Sequence, residues 1–220
     1  MTTQHFLKMF ALMGLLALMA GCAAPAKNID YAAFKASKPR SIVVLPPLNE
    51  SPDVKATNSV LSQVTWPLAE AGYYVLPVTL VDETFRQNGL TVAGDIHNVS
   101  PTKLREIFGA DAALYINITQ YGTQYQVVDS VTIVSASAKL VDLKSGETLW
   151  TGQATATDGG NNNNSGGLAA ALITAVVKQI ISNTSDVAHK VAFSAGVRLL
   201  SAGQPNGILY GPRSPLYGTD

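Results

Sequence analysis

Cysteine is almost missing from this sequence: Cys22 is the single one in 220 residues. One thiol excludes an intrachain disulfide, a CxxC redox pair and a thiolate zinc site. Charge is scarce too. Asp, Glu, Lys and Arg make up 14% of the chain, against about 25% in an average domain. The 15 basic side chains balance 15 acidic ones. With no cationic surplus to neutralise phosphates, nucleic acid is not expected as a partner, and no charged block keeps the chain unfolded. What is abundant is apolar. Hydrophobic residues reach 47%, enough for one well-filled core in a chain of single-domain length, so the surface must draw on Asn, Gln, Ser and Thr.

The lone cysteine closes a leader. Lys8 precedes an apolar run from Met9 to Met19, and the small residues Ala20 and Gly21 stand directly before Cys22, the three-part layout of an export signal. The run falls well short of the roughly 20 residues of a spanning helix. Met19-Ala20-Gly21-Cys22 resembles the lipobox of bacterial lipoproteins, with Met where Leu is usual. That resemblance implies cleavage after residue 21, a diacylglycerol thioether on Cys22 and acylation of its freed amino group, and two or more chains make a stable anchor. The alternative is an ordinary cleaved signal with a chance cysteine. Ala23, where an inner-membrane lipoprotein carries Asp, implies sorting to the outer membrane, facing the periplasm. Residues 23–39 show no sustained period and contain Pro25 and Pro39; they read as a tether, which could extend to about 58 Å.

From residue 40 to 200 strand and helix signals alternate. Ser41 to Pro46 is a short β-branched run, expected as a central strand buried on both faces. A helix is expected from Asp53 to Gly72, kinked or restarted at Pro67. A strand over Tyr73–Val78 and a helix over Leu80–Asn88 follow. Ser100 and Pro101 cap a helix that runs to Phe108 and ends at Gly109, and Ala112–Gln120 is a third strand. Strands over Gln124–Val141 and Glu147–Thr157 are joined by the turn Asp142 to Gly146, which makes an antiparallel hairpin. Residues 158–167 are a low-complexity, flexible Asn/Gly loop. Helices follow over Leu168–Ser182, where Lys178 and Gln179 favour core packing over membrane insertion, and over Asp186–Leu200. The expected fold is a single α/β domain of two or three layers, its mixed sheet built from βα units, an antiparallel hairpin and C-terminal helices.

Chemistry is hard to find. Outside the leader only His97 and His189 remain, without metal-site spacing, and each reads as a surface or helix-face residue. No glycine-rich phosphate loop occurs. Ser100-Pro101-Thr102-Lys103 and Lys144-Ser145-Gly146 imitate two of the three motifs of penicillin-binding serine enzymes, but a helix cap and a hairpin turn explain both. No catalytic residue, cofactor or metal is expected, and an enzyme ranks third among the functions considered.

Residues 201–220 hold Ile208, Leu209, Tyr210, Leu216 and Tyr217 among glycines and prolines. That composition excludes helix, yet it is too apolar and aromatic for a solvated tail. The five side chains are expected either to dock on their own domain or to form an interaction surface for a second copy or a partner.

The strand SIVVLPP, the junctions AEAGYYVLPV and REIFGADAALYINI, the hairpin LVDLKSGETLW and the tail LLSAGQPNGILYGPRSPLYG together resemble a family of outer-membrane lipoproteins of unassigned function, often encoded beside a CsgG-like lipoprotein. The resemblance covers nearly all of residues 40–218. It implies a fold like the amino-terminal domain of TolB and the periplasmic domain of CsgG. It also implies a non-catalytic accessory role in envelope transport or assembly, with CsgG-like lipoproteins or further copies as partners. Only Cys22 maps to a functional position of that family. A subunit of a CsgG-like pore is the alternative; it would need strands of clean alternating polarity, which Gln124–Val141 is not expected to keep.

Overall fold

The computed structural model describes residues 29–125, 130–158 and 186–220. Cys22, most of the Asn/Gly loop and the expected helix over Leu168–Ser182 lie outside them. A mixed six-stranded sheet with helices on both faces organises the described residues. Strand β1 (Ser41–Val44) pairs in parallel with β3 (Tyr74–Val75) on one side and β4 (Ala112–Tyr125) on the other. Past the Pro46-Pro47 bend the chain returns as β2 (Leu48–Asn49), which also runs parallel to β4. Strands β5 (Ser130–Asp142) and β6 (Thr148–Thr157) complete an antiparallel meander, giving the order β3-β1-β4-β5-β6. The centre of the sheet is thus β4, and not β1 as its apolar run suggests.

Helices α2 (Ala56–Leu61) and α3 (Thr65–Glu70) carry the chain from β1 to β3 over one face. Helices α4 (Val78–Gln87), α5 (Ala93–His97) and α6 (Pro101–Phe108) carry it from β3 to β4 over the other. The single helix expected from Asp53 is therefore two. Pro67 lacks an amide proton, which costs nothing in a first turn, so it sits in the first turn of α3. Pro77 likewise ends the expected Tyr73–Val78 strand early and starts α4 ahead of Leu80. Ser100 caps α6 by accepting from the Lys103 amide, with Pro101 at the first position and Gly109 left-handed at the end. Asp186 caps α7 (Val187–Leu200) in the same way, accepting from the His189 amide.

Two cores result. On the first face Ile42, Val44, Leu114, Ile116, Ile118, Val134 and Leu140 pack under α2, α3 and α7. On the second, Val43, Leu45, Ala113 and Tyr115 pack under Val81, Phe85, Ile96 and Leu104. The second set of helices covers only the β1 side. The described residues form three layers there and two over β5 and β6. Along β5, burial alternates from Val131 to Leu140, correcting the expected loss of alternation: Val134, Ala136, Ala138 and Leu140 face the first core, and Val131, Ile133, Ser135, Ser137 and Lys139 face outward.

The expected tether is, in its second half, part of the folded unit. Ala32–Ser37 forms α1, which buries Phe34 in the first core. Ile29 N–H donates to Asn206 Oδ1 at 3.1 Å, and Tyr31 Oη donates to the Gly207 carbonyl at 2.6 Å. Ser37 donates to Asp142 across the β5–β6 turn. A six-residue helix with one apolar anchor is held by these contacts and not by its own propensity.

Candidate functional site

In open α/β sheets a ligand crevice forms beyond the carboxyl ends of the strands where successive crossovers diverge. Here that point lies between β1 and β4, and the chain itself fills it. β2 pairs alongside β4, and the Asn117 amide donates to Glu50 Oε1 at 2.7 Å. His97, from the end of α5, places Nε2 2.9 Å from the Pro46 carbonyl. A carbonyl only accepts, so Nε2 carries the proton. The His97 ring meets Tyr115 edge-on at 5.2 Å, and Lys139 lies over the same tyrosine ring at 4.8 Å. Burial lowers the His97 pKa and the nearby Lys139 ammonium lowers it further, against the opposing bond to Pro46. His97 is thus a neutral wedge closing the switch point, and not a helix-face residue.

The open space lies beside this plug. Among the described residues, a groove of about 950 Å³ crosses the outer face of the meander and reaches past β6 to Gln204 and Asn206. Its floor is Tyr115, Asn117, Ser137, Lys139, Thr151 and Gln153. A shallower hollow of about 550 Å³ continues along Thr119, Gln120, Ser135 and Thr155. The groove lining mixes hydroxyl and amide side chains with apolar ones such as Leu48 and Trp150, and it carries the charged residues Lys139, Arg198 and Asp30. Among the described residues, Asn117 Oδ1 and Gln204 Nε2, both from residues lining the groove, are buried without a hydrogen-bond partner. Unpaired buried polar atoms are uncommon, because each forfeits the hydration it had in water.

A second cluster has the elements of a nucleophile and base. Tyr121 Oη donates to Ser59 Oγ at 2.8 Å, and Ser59 Oγ lies 2.8 Å from His189 Nδ1. The Gln63 amide nitrogen, 3.1 Å from Nδ1 and from the His189 carbonyl, can only donate, so Nδ1 is the accepting nitrogen and Ser59 gives it its proton. The pairing is a serine–imidazole dyad by distance, but its surroundings are those of packing. Ser59 is buried, it lines neither the groove nor the neighbouring hollows, and the Asp186 carboxylate accepts from the His189 amide as a helix cap. Sequence reasoning passed over the pair because 130 positions separate its members.

The two penicillin-binding-like motifs do meet in space: a Cβ on Gly146 would lie 3.9 Å from the Pro101 ring. The functional groups do not converge. Lys103 Nζ turns to Glu106 at 3.1 Å, and Ser100 Oγ is held by the Lys103 amide at 3.3 Å. Among the described residues no three His, Cys, Asp or Glu side chains are grouped to hold a metal, and no helix is long and apolar enough to cross a membrane.

The five tail residues separate. Ile208 and Leu209 are buried in the first core, so these two are not available to a partner, which corrects half of the expected interaction surface. The tail backbone closes on the end of α3: Gly211 N–H donates to the Ala71 carbonyl at 2.7 Å and Arg213 N–H to Gly72 at 3.1 Å, while Tyr73 Oη donates to the Leu209 carbonyl at 2.6 Å. The approach requires glycine, since a Cβ on Gly211 would lie 2.6 Å from the Gly72 carbonyl oxygen. Tyr210 is half-buried, and Leu216 and Tyr217 remain about half exposed.

Known proteins share this arrangement. The chain is 54% identical over 202 residues, 92% of its own length and 94% of the relative's, to a protein of Neisseria meningitidis serogroup B (strain ATCC BAA-335 / MC58) named "Putative lipoprotein NMB1124/NMB1162". The crystal structure of lipoprotein GNA1162 from Neisseria meningitidis superposes with a TM-score of 0.54 at 58% identity, covering 65% of this chain and 99% of that one. Residues 29–213, which begin at the docked Ile29 and end where the tail crosses Gly72, match the family described as "Putative lipoprotein GNA1162-like". The chain belongs to the GNA1162-like lipoprotein family.

Proposed function

We propose that this lipoprotein is anchored through Cys22 to the outer membrane, faces the periplasm, and acts without chemistry of its own as a binding module of an envelope transport or assembly complex. The observation that carries the proposal is the face of the β4–β6 meander that no helix among the described residues covers. It presents Ser, Thr, Asn and Gln side chains with Lys139 and Arg198 among them, and two unpaired buried polar atoms line its groove, suited to a polar partner surface laid across a sheet. The dyad-like Ser59–His189 pair supports a non-catalytic role, since it is engaged in core packing away from the groove. A pore subunit would need an apolar lipid-facing row on its spanning strands. The outward row of β5 begins with Val131 and Ile133 but continues with Ser135, Ser137 and Lys139, and this polar stretch favours a binding module.

The test is an affinity capture of the acylated protein from crosslinked envelopes, with the double variant Ser137→Glu, Gln153→Glu alongside. The expected result is one recurrent crosslinked envelope component that the variant loses at unchanged abundance and melting temperature. A component retained by the variant would place the binding surface elsewhere.

A further inference from the structure

We infer that the surface formed by Lys35, Lys38, Arg40, Arg213 and the half-exposed Tyr217 and Leu216 rests on the anionic phospholipid surface that holds the lipid anchor. The inference rests on the proposed acylation of Cys22 and goes beyond it by fixing which side of the domain meets the bilayer. Chain length supplies the first constraint. The described residues begin at Ile29, tied to Asn206, so even fully extended at roughly 3.4 Å per residue the intervening chain puts the anchor within about 24 Å of it. That is less than the diameter of a small domain, about 30 Å. A module on so short a leash keeps the side that carries Ile29 turned towards the membrane.

Charge complementarity selects the side. Lys35, Lys38, Arg40 and Arg213 are all exposed and belong to one continuous patch. Lys35 Nζ reaches the Asp220 carbonyl at 2.7 Å. Lys38 and Tyr217 flank one hollow of about 260 Å³. The Arg40 carbonyl accepts from Tyr74 N–H at 3.0 Å, and Arg213 lies 5.1 Å over the Tyr74 ring. The acids nearby are Asp220, whose carboxylate accepts from the Tyr210 amide, Asp111, which stands 3.9 Å from Arg40, and the buried Asp142, which accepts from Ser37; the four cations outnumber these three side-chain carboxylates. Among them Tyr74, Leu216 and Tyr217 are 46%, 47% and 45% exposed. Cations interleaved with tyrosines suit a lipid headgroup layer, where basic groups meet anionic lipid and amphipathic rings sit at the boundary. The other side within reach of Ile29, the groove, holds fewer cations, Lys139 and Arg198 beside Asp30, and none of the exposed large apolar side chains among the described residues lines it.

The test uses the acylated full chain, in which the Cys22 sulfur is blocked as a thioether. Leu216→Cys and, at the opposite end of β1, Val54→Cys each carry an environment-sensitive fluorophore, in vesicles with about 30% phosphatidylglycerol. Val54 is 87% exposed and serves as the distal control. Headgroup-borne quencher is expected to quench the Leu216 label several-fold more than the Val54 label. The difference should be lost with Lys38→Glu or Arg213→Glu and in vesicles of phosphatidylcholine alone. Equal quenching at both positions, or a difference indifferent to both charge reversals, overturns the orientation while leaving the anchor intact. Failure of the protein to float with vesicles at all overturns the anchor and the orientation with it.

Discussion

Asp142 sits in the β5–β6 turn with its carboxylate surrounded by donors: the amides of Lys144 and Ser145 and the hydroxyls of Ser145 and Ser37. Burial alone would raise its pKa, but these bonds, led by Ser37, outweigh it and hold the group below its ordinary 3.8. A carboxylate depressed by folding contributes its full stabilisation above the unfolded value and loses it as pH falls through the folded one. Unfolding free energy is therefore expected to decline as the pH is lowered below 3.8, and Asp142→Asn should flatten that decline while lowering stability at neutral pH; an unchanged acid limb in urea titrations would refute it. His97 has the reverse charge and the same direction. Its folded pKa lies below the ordinary 6.5, so the unfolded chain binds the proton more readily and stability is complete only above about 6.5. An imidazole NMR titration should give His97 a midpoint below 6.5, and a midpoint above it would mean that the Pro46 bond dominates over burial.

Elements differ in how openly the sequence announces them, and the tail shows why. Its apolar residues signal that something must cover them, but only the glycine-mediated approach of Gly211 to Gly72 reveals that the domain does so for Ile208 and Leu209. Truncation after Ala202 is accordingly expected to lower stability by about 3 kcal/mol from these two side chains, or roughly 6–12 °C in melting temperature; an unchanged melting curve would contradict the docking. β1, α6, α7 and the β5–β6 turn were legible because local chemistry defines them: a β-branched run, a Ser-Pro cap, an Asp cap and a left-handed glycine. α1 and β2 were not. Each is six residues or fewer, too short for a period to register, and each exists through contacts with residues far along the chain. The open face was hidden for the same reason, since Tyr115, Ser137 and Gln153 become neighbours only when three strands pair. Alternation along β5 escaped notice because its inward row mixes Thr132 and three-carbon Ala with Val and Leu, and side-chain size obscured the pattern that burial makes plain.

At the scale of the whole molecule the leader and the fold have to be tested together. Cys22→Ala is expected to leave an unprocessed precursor that takes up no fatty-acid label, and the same domain without its leader should melt at the temperature of the mature protein; normal maturation of the variant would end the case for acylation. The docking of Ile29 and Tyr31 beside Asn206 and Gly207 also has a mechanical consequence. Any tension between the anchor and a bound partner enters the domain at Ile29 and meets the bonds of residues 29, 31, 35 and 37 in series, as in peeling, before it reaches β1. These few bonds, with Phe34, form a fuse outside the sheet. Under load they are expected to release first, paying out residues 29–39 and lengthening the connection by as much as about 37 Å while the groove and the strands that frame it stay folded.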